Sequence, residues 1–323
     1  MTSTETLSLR WETLTADAVP AWTELTNVLA EYDDTGEYYS AEDLAEELGE
    51  HGFTAERDSW AVWDGDCLVA YGKVSVGLIP DHEARTRCTL EGGVRPSHRG
   101  RGIGSALLTR MEARALELAR ERHPGVPAYW RFDGGQEGAS VRALAAHRGY
   151  GIVRYFAELE RPLPGHELSG HESVPEGITL LSPAAENEEA TRRAHNEAFQ
   201  DHWGSGEMTV ERWHDFWTAR ANRWDLSTLA VDADGNVLAY ALAGSWVERE
   251  LYVLLVGSVR AARGRGLATA SLARMIRLAR ESGHFDAVDL HVDSDSPTGA
   301  TRLYEKLGFV TTRVFATLQR DAG

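Results

Sequence analysis

The chain has 323 residues, 42% hydrophobic and 26% charged, with a net charge of −17; that length suits two domains with a core each, and the acidity argues against a nucleic-acid partner. No apolar run is long enough to cross a bilayer, and the N-terminus lacks the basic start and apolar middle of a signal peptide. Two cysteines, Cys67 and Cys88, make no disulfide framework, so the expected setting is cytoplasmic, with no membrane partner.

In chain order, "LSLRWETL" (7–14) predicts a first strand, and helical sequence follows it. Residues 31–50 carry nine carboxylates and no basic residue. They read either as a solvated helix face with its loop or as a rim that attracts a cationic substrate. At 58–77, Asp64-Gly65 between two strand-like runs signals a hairpin. "CTLEGGVR" (88–95) is a further strand, and "HRGRGIGSALL" (98–108) leads from it into a helix. "HRGYGIVRYFAELE" (147–160) closes this half on a glycine–aromatic step into a strand.

Residues 161–177, rich in Pro, Gly, Ser and charge, read as a connector, after which the same order starts again. "ITLLSPA" (178–184) opens the second half, and 227–247 repeats the hairpin with Asp234-Gly235-Asn236 at its turn. "ERELYVLLVGSVR" (248–260) is a buried strand, and "ARGRGLATASL" (262–272) leads into a helix whose apolar face is Leu272, Met275, Ile276 and Ala279. Arg99 and Arg263 lie 164 residues apart, and Leu108/Leu272, Arg110/Arg274, Met111/Met275 and Ala115/Ala279 share that offset. We read a duplication: an N-terminal domain at 1–162, a linker at 163–175 and a C-terminal domain at 176–323. Each is α+β, a mostly antiparallel mixed sheet flanked by helices.

The repeated phrase places glycines between a strand and a helix N-terminus. There the first N–H groups lack partners, the helix dipole is positive, and glycine lets a bulky anion approach. Arg99, Gly100, Arg101, Gly102, Ile103 and Gly104 in the first half, with Arg263, Gly264, Arg265, Gly266, Leu267 and Ala268 in the second, have the parts of a pyrophosphate cradle. Neither copy contains a P-loop or the glycine spacing of a dinucleotide-binding turn.

Arg99-x-x-Gly102-x-Gly104 and Arg263-x-x-Gly266-x-Ala268 resemble the acetyl-CoA signature of the GNAT N-acetyltransferases. The two-copy layout is similar to that of mycothiol synthases. The resemblance implies acetyl-CoA as co-substrate and a small-molecule amine as acceptor; no metal is expected, because His202 and His214 lack companions at metal-ligand spacing. It implies a strand bulge at Gly92-Gly93 and Gly257-Ser258, with Val94 and Val259 offering backbone groups to the pantetheine arm and acyl oxygen. Tyr304, four residues before Gly308, matches the family's tyrosine acid; the corresponding residue before Gly149 is Ala145. The C-terminal half is therefore expected to be catalytic and the N-terminal half degenerate.

For the base, Glu248 and Glu250 share one strand face, with His291 and Asp293 on the next strand, while Glu91 in the first half reads as a base or acceptor-binding group. Asp201, His202 and Trp203, in the segment joining the first two helices of the second half, are candidates to bind a cationic acceptor; Trp203, Trp213 and Trp217 equally read as packing residues. A non-catalytic acyl-CoA sensor and a mycothiol synthase proper are the alternatives that the sequence leaves open.

Overall fold

The structure, a computed structural model, describes residues 9–163, 165, 168, 170–295 and 300–322. Its two units do not coincide with the two halves of the chain. Unit 1 comprises Met1–Pro80, Ala84–Val153 and Thr317–Gly323; unit 2 comprises Asp81–Glu83 and Arg154–Ala316.

In unit 1, β1 (Arg10–Glu12), α1 (Val19–Asp33), α2 (Ala41–Glu47) and α3 (Ala55–Asp58) precede β2 (Ser59–Asp64), β3 (Cys67–Val76) and β4 (Thr86–Val94). Then come α4 (Ile103–Arg122), β5 (Ala128–Asp133) and α5 (Ser140–His147). The chain continues through β6 (Gly151–Pro162), β7 (Thr179–Leu181), α6 (Glu188–Ala198), α7 (Val210–Thr218), β8 (Thr228–Val231) and β9 (Val237–Gly244). It ends with β10 (Glu250–Ser258), α8 (Leu267–Ser282), β11 (Ala287–Asp293), α9 (Ala300–Lys306) and β12 (Val310–Ala322).

Both units repeat one plan. Strands β1 to β4 form an antiparallel meander, with β5 parallel to β4. Strands β7 to β10 do the same, with β11 parallel to β10. Both expected hairpins form. Gly65 turns the first at φ 58°, and in the second the Asp232 carboxylate accepts from the N–H groups of Asp234 and Asn236 at 3.0 and 2.8 Å.

Successive strand residues face opposite ways, so each sheet buries two layers. In unit 1, α4 packs Leu107, Leu108 and Met111 with Val62, Val74 and Leu90, while Trp22, Leu25 and Leu44 cluster with Ala61 and Leu68 on the other face. In unit 2, Leu272, Met275, Ile276 and Ala279 form the expected buried face of α8, packed with Leu251, Val253, Val288 and Leu290. The opposite layer holds Trp213 and Trp217 of α7 with Tyr240 and Leu242.

The closing strands are exchanged. The last part of β12, Thr317 to Ala322, runs antiparallel to β5 in unit 1, and β6 runs antiparallel to β11 in unit 2. Each carries an arginine that does the same work. Arg320 donates to the carbonyl of Arg148, and Arg161 donates through Nε to the carbonyl of Leu307 at 2.6 Å. Both carbonyls stand one residue before a positive-φ glycine, Gly149 or Gly308, where a helix end has no backbone donor left. The segment read as a linker also packs: Leu163 is buried, and Glu172 pairs with Arg277 at 2.7 Å.

Candidate active site

Each unit holds a loop of alternating conformation between its central strand and long helix. Gly100 and Gly102 stand at φ 75° and 81°, Gly264 and Gly266 at 76° and 77°. Gly102 and Gly266 are the N-caps of α4 and α8, with no side chain capping either helix. The first helical bonds are donated by Ala106 to Gly102 and by Ala270 to Gly266. The N–H groups of Ile103 to Ser105, and of Leu267 to Thr269, lie ahead of those bonds, the donors from which a helix N-terminus can build an anion nest. A Cβ added at any of the four glycines would meet nothing within 4 Å, so space stays open at the nest.

The signature arginines fasten these loops. Arg99 clasps Asp33 at the end of α1 with both Nη atoms, at 2.7 and 2.5 Å, and donates to the Val94 carbonyl at 2.9 Å. Arg263 donates to Asp201 and to the Ala198 carbonyl, each at 3.1 Å. In both units, then, the arginine ties the nest to the end of the unit's first long helix.

Beside each nest the parallel ladder ends early. β4 and β5 pair from Thr86↔Ala128 only to Thr89↔Arg131, although β4 continues to Val94. β10 and β11 pair from Glu250↔Ala287 only to Tyr252↔Asp289, although β10 continues to Ser258. A gap lined by unpaired strand edges opens there. In unit 2 the register with β9 slips between Val253 and Leu255, a bulge at Leu254. The β3–β4 ladder of unit 1 shows no slip.

Behind the unit 2 gap, α9 brings Tyr304 into the apolar cluster of Val253 and Val292, 8% exposed. Among the described residues no group hydrogen-bonds its hydroxyl, and burial pushes the phenol up to about 12. It therefore holds its proton at neutral pH, as a general acid must. Ala145 fills the unit 1 position, fully buried.

The sequence matches the model of the acetyltransferase (GNAT) family twice, over residues 12–134 and 189–309. The chain belongs to the GNAT acetyltransferase family. It is 33% identical over 224 residues to a mycothiol acetyltransferase of Clavibacter sepedonicus, covering 67% of each chain. It is 32% identical over 281 residues to one of Nocardia farcinica, covering 83% of each. Its fold is similar to a GCN5-related N-acetyltransferase from Sphaerobacter thermophilus (TM-score 0.73, 24% identity, 97% and 96% covered). A tandem GNAT protein from the clavulanic acid biosynthesis pathway is also similar (TM-score 0.72, 20% identity, 98% and 99% covered). The protein is thus an acyl-CoA-dependent GNAT acetyltransferase with tandem domains.

Several expected site residues of this GNAT chain stand elsewhere than the sequence suggested. The bulge is at Leu254, not at Gly257-Ser258, and unit 1 has none at Gly92-Gly93. Close packing explains those glycines: a Cβ at Gly257 would strike the Tyr240 ring, at Gly92 the Tyr71 carbonyl, at Gly93 the Leu29 side chain. The Val259 N–H donates to Leu238 O at 3.0 Å, and the Val94 carbonyl receives Arg99, so both groups are engaged within the protein. Asp201 serves the nest, held below the usual carboxylate range by Arg263 and Arg260. His202 bonds Ser205 within its loop, and Arg154 stacks over Trp203 at 5.0 Å. Trp213 and Trp217 are buried core.

Glu91 is not a lone carboxylate: Lys73, its register partner, bridges it at 2.9 Å and Glu47 at 2.5 Å. In the acidic stretch Asp33 and Glu47 are thus engaged internally, and Asp43 caps α2. Glu250, the first residue of β10, and Glu248, two residues before it, are exposed, and Glu250 is raised by partial burial and by Glu160 and Glu158 of β6. Sequence reasoning missed Asp289, the last residue of β11 that pairs with β10. Its Oδ1 is buried without a hydrogen-bond partner. The signal was present as alternation in "VDLHVD", where a polar residue occupies every second place of a strand. Among the described residues no set of His, Cys, Asp or Glu is grouped to hold a metal, and no helix is long and apolar enough to cross a membrane.

Proposed function

We propose that unit 2 transfers an acetyl group from acetyl-CoA to the primary amine of a small, cationic acceptor by direct attack on the thioester, while unit 1 binds acyl-CoA without catalysing transfer. One observation carries this reading: unit 2 combines a glycine loop at a helix N-terminus, a gap between the parallel strands β10 and β11 beside the bulge of β10, and a buried, protonated tyrosine. The nest anchors the diphosphate, the gap receives the thioester arm, and Tyr304 gives its proton to the departing thiolate. Unit 1 has the nest and the gap but neither bulge nor acid.

The named relatives favour a second, narrower reading, in which the acceptor is the cysteinyl amine of a cysteine–amino-sugar conjugate. Acetylation of that conjugate in preference to a panel of simple amines is its test. For the broader reading the test is Tyr304→Phe. Turnover, read as free thiol released, is expected to fall by about 10²-fold or more while acetyl-CoA still binds by calorimetry. Undiminished turnover overturns the assignment of the acid.

A further inference from the structure

The sheet face opposite Tyr304 is charged in unit 2. Leu251 and Val253 of β10, with Val288, Leu290 and Val292 of β11, belong to the cluster that holds Tyr304. The alternate residues, Glu250 and Tyr252 with Asp289 and His291, therefore face the other way. The exchanged strand β6 adds Glu160 opposite Asp289 and Glu158 opposite His291. Glu158 is bonded by Thr312 and Arg313 of β12 at 3.0 and 2.8 Å and lies 3.5 Å from His291. Tyr252 and Phe315 each set a ring edge to His291.

The same rung in unit 1 has the opposite sign. Counting back from the last parallel pair, Asp289 corresponds to Arg131 and Glu250 to Arg87, while Glu160 corresponds to Gln319. A duplicated scaffold has thus put carboxylates at the mouth of one gap and arginines at the other. We propose that Asp289 takes the proton from the acceptor's ammonium, and that Glu250, Glu158 and Glu160 form around it an anionic seat specific for a cationic amine. The proposal rests on the acetyl-transfer reading of unit 2 and assigns its base and its acceptor charge.

The gap between β10 and β11 joins the two faces, so base and acid stand on opposite sides of the thioester's slot. The proton count closes. The ammonium gives one proton to Asp289, which passes it to water, and the freed amine bonds to the acyl carbon. As the carbon–sulfur bond breaks, sulfur takes the proton of Tyr304, and the nitrogen's second surplus proton restores the tyrosine. One proton reaches solvent per turnover. Burial, then the charges of Glu250 and Glu158, push the Asp289 carboxyl up to about 7, while His291 pulls it down. The group therefore exchanges its proton near neutrality, where a base must work.

The test uses the full chain and Asp289→Asn. The aspartate carboxyls of the apo protein, labelled with carbon-13, should show one resonance that titrates near neutrality and is absent from the variant. If every aspartate titrates in the ordinary carboxylate range, the assignment is overturned whatever the acceptor. With acetyl-CoA and putrescine, glucosamine or S-methylcysteine amide, the variant should lose about 100-fold in kcat/KM and the acidic limb of its pH profile. Glu158→Gln should move that limb to lower pH, because a neighbouring negative charge is removed. An unchanged rate and limb in Asp289→Asn overturn the proposal. Calorimetry with acetyl-CoA separates the two levels: wild type and variant should bind alike, and failure of the wild type to bind sinks the acetyl-transfer reading itself.

Discussion

Replacing Gly266 by alanine isolates what the nest does. The residue sits at φ 77°, and its new Cβ would meet nothing within 4 Å, so the penalty is conformational and not steric. A non-glycine residue in the left-handed region costs about 1–2 kcal/mol. Gly283, the C-cap of the same helix, provides the control, since it has φ 68° and equally open space but lies at the far end of α8. Both variants should lose a few degrees of thermal stability, at about 2–4 °C per kcal/mol for a unit of this size. Only Gly266→Ala should also loosen the ligand, because the loop relieves its strain by rotating peptide N–H groups out of the nest. Relief of about 1.4 kcal/mol corresponds to roughly tenfold weaker binding. Calorimetric titration with CoA reads this directly. Equal CoA affinity in the two variants would refute the nest as the diphosphate site.

Two other perturbations probe different links. Arg161→Met removes the bond from β6 to the Leu307 carbonyl, and a hydrogen bond from a charged donor is worth about 1.5–3 kcal/mol. Since α9 ends at that carbonyl and carries Tyr304, kcat should fall with the KM for acetyl-CoA nearly unchanged; a lower melting temperature with full kcat would assign Arg161 to stability alone. His195 is buried, 3.0 Å from the Tyr240 hydroxyl, and burial pulls its imidazole down to about 4. Between pH 6.5 and 4 the unfolded chain binds a proton that the folded chain refuses. Stability should therefore fall as pH drops through that window, by up to about 1.4 kcal/mol per pH unit. Denaturant unfolding across the window should show a shallower slope in His195→Gln, and an identical slope would remove His195 as the cause.

The sequence by itself determined the duplication, both glycine loops at the helix starts and the place of Tyr304. These are local: four glycines at positive φ, each nest placed between a strand and an amphipathic helix, and a tyrosine at fixed distance from a helix-ending glycine are all written within short stretches. Only the tertiary structure decided which strand closes which sheet, because alternation specifies the faces of β6 and β12 but not their neighbours. That exchange carried Glu158 and Glu160, which the sequence places before the linker, to the side of Asp289 in unit 2. It was likewise tertiary packing that drew Asp201 to Arg263 and Glu91 to Lys73. A carboxylate's role depends on the charges and burial around it, and those are set by residues far away along the chain.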